Sequence, residues 1–223
     1  MRTRHSYILL ILVALAAGDI MAETNQAIPL PAPALTGTHT LEQLLSQRRS
    51  VRDYQDSTIE LSEIARLLWA AQGITDARGL RTAPSAGALY PLELYIVAGR
   101  VNGLTAGVYH YEPENNQLIK TLHRDVRAAV AKAAYSQEWI NDASVIIVFT
   151  AVYQRTTKKY GERGVRYVHI EAGHAAQNLF LQAESIGLAS IVVGAFSDDA
   201  VARIVQLPAD VETLLLMPVG HAR

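Results

Sequence analysis

Apolar positions change period several times along this chain, and each change predicts an element. In "LSEIARLLWAAQG" the residues Leu61, Ile64, Leu67, Leu68 and Ala71 recur at spacings of three and four, which predicts a helix stopped by Gly73. Ser57, followed three residues later by Glu60, reads as its capping box. "LELYIVA" (92 to 98) and "GVYHYEP" (107 to 113) read as strands joined through a Gly-containing turn. Residues 124 to 134 have a helical pattern. "ASVIIVFTAV" (143 to 152) is β-branched and uninterrupted, the signature of a central strand buried on both faces. A long helix is predicted from about Val165 to Ile186, ended by Gly187. "ASIVVGAF" (189 to 196) reads as a strand, "DDAVARIVQL" as a helix and "ETLLLMPVG" as a last strand. Helices and strands so mixed, with an early hairpin, predict an α+β fold with a layered sheet.

The first forty residues follow neither period. A basic start (Arg2, Arg4), an apolar run from Tyr7 to Ala17 and small residues after it have the layout of a secretory signal peptide. The signal is expected over residues 1–22, with cleavage after Ala16 or Ala22. As a helix, that run would reach only about 16 Å, short of a hydrocarbon core of about 30 Å. The expectation is therefore an exported, periplasmic protein without stable membrane insertion, the alternative being an anchor left by an uncleaved signal. Residues 23–40, rich in proline, threonine and alanine, read as a linker, which leaves residues 41–223 as the domain.

The bulk numbers exclude more than they select. The chain has 223 residues, half of them hydrophobic, and a formal net charge of -1, which describes a globular domain without the basic excess of a nucleic-acid binder. It has no cysteine, so disulfides, thiolate metal sites and cysteine nucleophiles are excluded. In so neutral a chain the cluster "RRSVRDY" stands out. If it is helical, Arg48 and Arg52 share a face four residues apart, with Ser50 nearby. Arginine pairs bidentately with phosphate, so a bound phosphomonoester suits the cluster. A solvated basic helix end suits the spacing as well.

Three further stretches hold candidate chemistry. Pro84, Ser85, Ala86 and Gly87 form a small-residue loop before a strand, where backbone can approach a flat ligand and leave N–H groups available. A plain connecting loop is the other reading, and neither a Walker loop nor a G-x-G-x-x-G fingerprint is present. Gly194 and Ala195 end a predicted strand, where ligands of layered sheets often bind. In residues 158 to 179, Arg166, Glu171, His174, Gln177 and Asn178 punctuate a helix of small and apolar residues. Glu171 and His174 lack a third ligand at metal spacing, so they read as hydrogen-bonded core groups, and no metal is expected.

In order and spacing, "RRSVRDY", "LLWAAQGIT", "RTAPSAGALYPLELYIV", "GVYHYEP", "KKYGERGVRYVHIEAGHAAQNLFLQAESIGLASIVVGAF" and "MPVG" resemble the nitroreductase superfamily. The likeness is nearest to its SagB-like branch, the azoline dehydrogenases of peptide modification, and covers about residues 41 to 220. It implies a homodimeric three-layer α/β/α fold with a central, mostly antiparallel sheet and two FMN molecules at the dimer interface. Arg48, Ser50 and Arg52 match the family's phosphate and ribityl contacts, with Arg49 a backbone or pyrimidine-edge contact. Pro84, Ser85, Ala86 and Gly87 match a loop supplied by the other subunit. Gly194 and Ala195 match the segment whose backbone meets the isoalloxazine near N5.

Lys159 and Tyr160 resemble the lysine–tyrosine pair that handles protons in azoline dehydrogenases, the other reading being an ordinary exposed loop. Two departures are visible: Gly87-Ala88 stands where nitroreductases often carry asparagine, and the basic tail of the family is reduced to Arg223. What the resemblance implies is an FMN-dependent oxidoreductase acting on a small organic substrate, as a SagB-type dehydrogenase or a nitro or quinone reductase, with NAD(P)H or another electron donor. A non-catalytic exported flavin-binding protein is the alternative. An export signal sits uneasily with nicotinamide cofactors and leader peptides, which are cytoplasmic.

Overall fold

A computed structural model describes residues 27–223, so the signal expected over residues 1–22 lies outside the described residues. The elements in chain order are β1 (Ala27–Pro29), α1 (Leu41–Gln47), β2 (Ile59–Glu60), α2 (Leu61–Gln72), β3 (Leu92–Ala98), β4 (Val101–Asn102), β5 (Gly107–Glu112) and β6 (Gln117–Leu122). They continue with α3 (Arg127–Ala133), α4 (Trp139–Asp142), β7 (Val145–Ala151), α5 (Gln154–Tyr160), α6 (Arg163–Ser185), β8 (Ala189–Ser190), α7 (Asp198–Val205) and β9 (Glu212–Gly220). Seven strands form one sheet in the order β1-β6-β5-β3-β7-β9-β8, with every pair antiparallel. β2 and β4 form a separate parallel pair.

The period of two in the central strands sorts the core into two layers. Along β7, Val145, Ile147, Phe149 and Ala151 face one helical layer, while Ile146 and Val148 face the other. β3 does the same, with Leu92, Leu94 and Ile96 on the first side and Tyr95 and Val97 on the second. The first layer is closed by the apolar stripes of α2 and α6, the second by α3, α4 and α7. The α+β expectation of a three-layer α/β/α arrangement around a mostly antiparallel sheet therefore holds. Every residue of β7 is buried, and each large apolar side chain there contributes roughly 1.5–3 kcal/mol over its exposed state.

Several local expectations need correction. Part of the stretch read as a linker is structured: β1 pairs with β6, and Leu30 is buried in the first core layer. Asn116 clamps that segment, accepting from Leu30 N at 2.9 Å through its carbonyl and donating from Nδ2 to Leu30 O at 3.0 Å. The capping box of α2 lies three residues later than predicted, with Glu63 Oε2 accepting from Glu60 N at 2.7 Å. Ser57 Oγ is buried without a partner among the described residues, while its carbonyl accepts from Ser144 Oγ. The strand predicted over 189 to 196 shrinks to Ala189–Ser190, after which only Val193 bridges to Leu216. The helix proposed for Arg48 to Arg52 is absent, because α1 ends at Gln47.

Candidate functional site

The arginine cluster lies on extended backbone. Arg48, at φ −48° and ψ 124°, leaves the helix, and the chain is then pinned to the sheet by pairing. Ser50 bridges in parallel to Ser190 of β8, Val51 N donates to Ser190 O at 3.0 Å, and Tyr54 bridges to Ala222. The Tyr54 hydroxyl donates to Val51 O at 2.9 Å and lies 3.2 Å from Pro218 O. Burial pushes that phenol up, so it stays a neutral donor. On extended chain, residues two apart share a face, so Arg48, Ser50 and Arg52 are grouped by a period of two where the sequence reading used four.

None of these guanidinium groups is paired with a carboxylate among the described residues. Arg49 donates to Ser46 O and Arg48 O, both at 2.9 Å. Arg48 lies over the Phe180 ring at 5.0 Å and Arg52 over the Trp139 ring at 5.8 Å. Three like charges gathered without a counter-ion fit an anionic ligand, and the donor set suits a phosphate. The C-terminus is held beside them: Arg223 N donates to Asp53 O and its Nη2 to Tyr54 O, both at 3.1 Å.

The small-residue loop is shaped by left-handed backbone. Gly87, Ala88 and Tyr90 have φ of 65°, 53° and 44°. Ser85 Oγ accepts from Tyr90 N at 2.9 Å and Ser85 O accepts from Ala88 N at 3.0 Å, which closes the turn. A side chain at Gly87 would place its Cβ 2.7 Å from the Tyr160 hydroxyl and 2.9 Å from Lys159 Nζ. The loop and the lysine–tyrosine pair are thus brought together, and only glycine leaves room for both groups above it. Lys159 Nζ also lies 5.3 Å from the Tyr160 ring, which packs edge-on against Tyr167 at 5.2 Å.

The helix carrying that pair is anchored one turn earlier. Arg155 of α5 pairs with Glu93 of β3 and donates to Tyr90 O at 3.0 Å. Glu93 also bonds His110 Nε2 at 2.6 Å. Burial works to raise the Glu93 carboxyl, but the bonds and charges of His110 and Arg155 outweigh it and hold the group below the usual range. Sequence reasoning missed this anchor, because its members lie on three separate elements.

Gly194 and Ala195 are exposed beyond β8, with open space around Gly194 and with Ala195 O accepting from Gln137 Nε2 at 3.1 Å. Glu171 and His174 do not behave as the satisfied core pair expected: His174 is exposed, and Glu171 is buried with Oε1 unpartnered among the described residues. Among those residues no three His, Asp or Glu side chains gather as a metal site.

The candidates fall into two groups. Arg48 meets Phe180, and Thr82 O, ahead of the small-residue loop, accepts from Asn178 Nδ2. No hydrogen bond, ion pair or ring contact among the described residues joins 48–52 to 84–87 or to 159–160. The first half of α6 turns an open face outward, with Val165 and Ile170 at 40% and 49% exposure and nothing near Gly173.

Comparison with known proteins gives one consistent answer. The nitroreductase family pattern matches residues 45–221. The protein MJ1384 of Methanocaldococcus jannaschii, which is named as a nitroreductase, is 47% identical over 181 residues, covering 81% of this chain and 90% of that one. The Escherichia coli microcin B17-processing protein McbC is 28% identical over 161 residues, which span 67% of this chain and 57% of McbC. Among solved structures, a protein of Ralstonia eutropha named as a nitroreductase superposes with a TM-score of 0.78 at 27% identity, over 90% of this chain and 91% of that one. The E. coli McbBCD microcin synthetase complex shares the fold with a TM-score of 0.69 at 23% identity, over 96% of this chain and 85% of that one.

Proposed function

This chain belongs to the nitroreductase family, and from that premise we propose that it is an FMN-dependent oxidoreductase acting as a homodimer on a small organic substrate. The observation that carries the reading is the set of three guanidinium groups, Arg48, Arg49 and Arg52, held on extended chain beside Ser50 without a carboxylate partner among the described residues. Arg48, Ser50 and Arg52 would hold the FMN phosphate and ribityl chain. Arg49 would reach the ring's pyrimidine edge, and the backbone at Gly194 and Ala195 would lie along the ring. Pro84 to Gly87 of the second protomer would close the other side. Bound there, FMN supplies hydride acceptance and donation at N5, chemistry that no side chain of this protein offers.

The protein's own part is to bind, orient and move protons. Removing a hydride from carbon requires taking a proton from the adjoining atom, so a base must stand within reach of the substrate. Lys159 Nζ and the Tyr160 hydroxyl meet over Gly87, each able to exchange a proton with a group placed there. That convergence favours the narrower reading of a SagB-type dehydrogenase over a plain nitro or quinone reductase. The likeness to McbC supports the same direction. The sequence of residues 1–22 supports export, and an exported enzyme needs an electron partner resident outside the cytoplasm in place of NAD(P)H.

The reading is tested with protein starting at Glu23, loaded with FMN, dialysed and followed anaerobically in the visible range with a reductant or oxidisable substrate. The flavin spectrum is expected to survive dialysis and to bleach with the productive partner. A Lys159→Met, Tyr160→Phe variant is expected to keep the flavin and lose substrate-driven bleaching by about 100-fold or more. Protein that stays colourless and takes up no FMN contradicts the assignment.

A further inference from the structure

The turn between α3 and α4 touches two separate parts of the proposed flavin site and has no role assigned to it there. On one side, Trp139 lies beneath the Arg52 guanidinium at 5.8 Å and packs, with Val51, against Tyr54, Ala143 and Ala189. On the other, Ala133 O accepts from Ser197 N at 2.9 Å. Gln137 Nε2 donates to Ala195 O at 3.1 Å and to Ala134 O at 2.9 Å. Between these contacts Tyr135 and Ser136 have φ of 55° and 59°. Two successive left-handed residues, neither of them glycine, make a costly backbone that persists only where its surroundings over-determine it.

Peptide planarity turns these bonds into directions, because the C=O and N–H of one trans unit point opposite ways. Val193 O accepts from Leu216 N at 2.9 Å, so the Gly194 N–H points away from β9. Ala195 O accepts from Gln137, so the Phe196 N–H points away from the α3–α4 turn. The N–H groups of Gly194, Ala195 and Phe196 have no acceptor among the described residues. On either side of them, Val193 N donates to Leu216 O and Ser197 N to Ala133 O. Three neighbouring amides are thus left to a ligand, the kind of backbone site that takes acceptor atoms. The sheet sets the first of these peptide units. Gln137 sets the one between Ala195 and Phe196.

We propose that Gln137 is a positioning residue of the flavin site: its amide fixes the Ala195–Phe196 peptide and, with Trp139 beneath Arg52, ties the ring-binding segment to the phosphate-binding one. The inference rests on the proposed function for the identity of the ligand, and on the bonds above for the orientation of the peptide. A primary amide has two N–H donors, and here each meets a carbonyl. The bond to Ala134 O, at the end of α3, holds the side chain still while the other holds Ala195. Without a donor at this position the Ala195 carbonyl is free to turn, and the Phe196 N–H turns with it. Gln137 touches the ring-binding segment and makes no contact with an arginine, so its loss weakens FMN and riboflavin alike.

This one peptide can be watched by NMR. The chain has three phenylalanines, and only Phe196 follows an alanine. Protein labelled with carbonyl-13C alanine and 15N phenylalanine therefore gives a single carbonyl-filtered amide signal, from Ala195–Phe196. The cofactor-free wild type is expected to show one sharp signal, which FMN moves. Gln137→Met, of similar length but without a donor, is expected to split or broaden it, with the unfiltered signal of Phe149 in β7 unmoved. Gln137→Lys, which keeps a donor of similar reach, is expected to restore a single signal. In calorimetry Gln137→Met should bind FMN and riboflavin each about tenfold more weakly, with the preference between them unchanged. A wild type that takes up neither flavin would sink the cofactor reading, and the filtered signal of the free protein would still decide what Gln137 does. The role of Gln137 is overturned by a single unmoved signal in Gln137→Met, or by a Phe149 signal that moves with it. Failure of Gln137→Lys to restore the signal, or a loss of affinity confined to FMN, overturns it equally.

Discussion

Gly87 is a position where a missing side chain does chemical duty. Its φ is 65°, and two polar groups lie within 3 Å of the place a Cβ would take, so alanine has no relaxed fit. Gly87→Ala is expected to cost about 1–2 kcal/mol in chemical denaturation and to displace Lys159 and Tyr160, so turnover should fall more than FMN affinity. Glu171 makes a second residue-scale prediction. Its folded value of about 7 stands above the ordinary 4.5, so the neutral side chain stabilises fully below pH 4.5, and that contribution is lost as pH rises towards 7. Glu171→Gln should therefore gain stability over the wild type at pH 8 relative to pH 5, by about 3 kcal/mol at most, measured by urea unfolding at both values. At this scale the arginines were legible from their crowding in a near-neutral chain. Their shared face was not, because pairing of Ser50 with Ser190 decides it, and those residues lie far apart in sequence.

At the scale of elements, strong periodicity was read correctly where burial is one-sided or complete. β3 occupies the residues expected of it, and α2 and α6 lie within a few residues of their predicted bounds, because their apolar stripes alone require a partner. β1, β6, α1 and α5 went unread. β1 has three residues and is held only by long-range pairing with β6, β6 buries Lys120 where an apolar residue would mark the alternation, and the two helices have seven residues each, too few to show a stripe. α5 depends on a tie that no local pattern reveals, the Arg155–Glu93–His110 set between helix and sheet. Glu93→Gln should loosen α5 and cost about 1–3 kcal/mol in unfolding free energy. It should lower turnover while FMN affinity changes little, since the arginine segment is held by β8 through Ser190 O and by β9 through Pro218 O.

The whole molecule presents two groups of site residues that no hydrogen bond, ion pair or ring contact joins among the described residues, where no helix is long and apolar enough to cross a membrane either. A two-fold pairing through the open face of α6 would set one protomer's arginine segment against the partner's loop. An Arg48→Ala, Arg52→Ala protein mixed with a Lys159→Met, Tyr160→Phe protein should then recover activity that neither has alone. Random exchange of protomers predicts roughly a quarter of the wild-type sites, and no recovery would mean that each protomer carries a complete site.

The central claim, that the arginine segment is a flavin phosphate site, is met most directly by titrating FMN and riboflavin into the wild type and into Arg48→Ala, Arg52→Ala by calorimetry. The account predicts that the wild type prefers FMN by about 100-fold or more, since charge-assisted bonds contribute roughly 1.5–3 kcal/mol each, and that the double variant loses the preference while binding riboflavin much as before. Equal affinity of the wild type for the two flavins, or a preference that survives both substitutions, would contradict it.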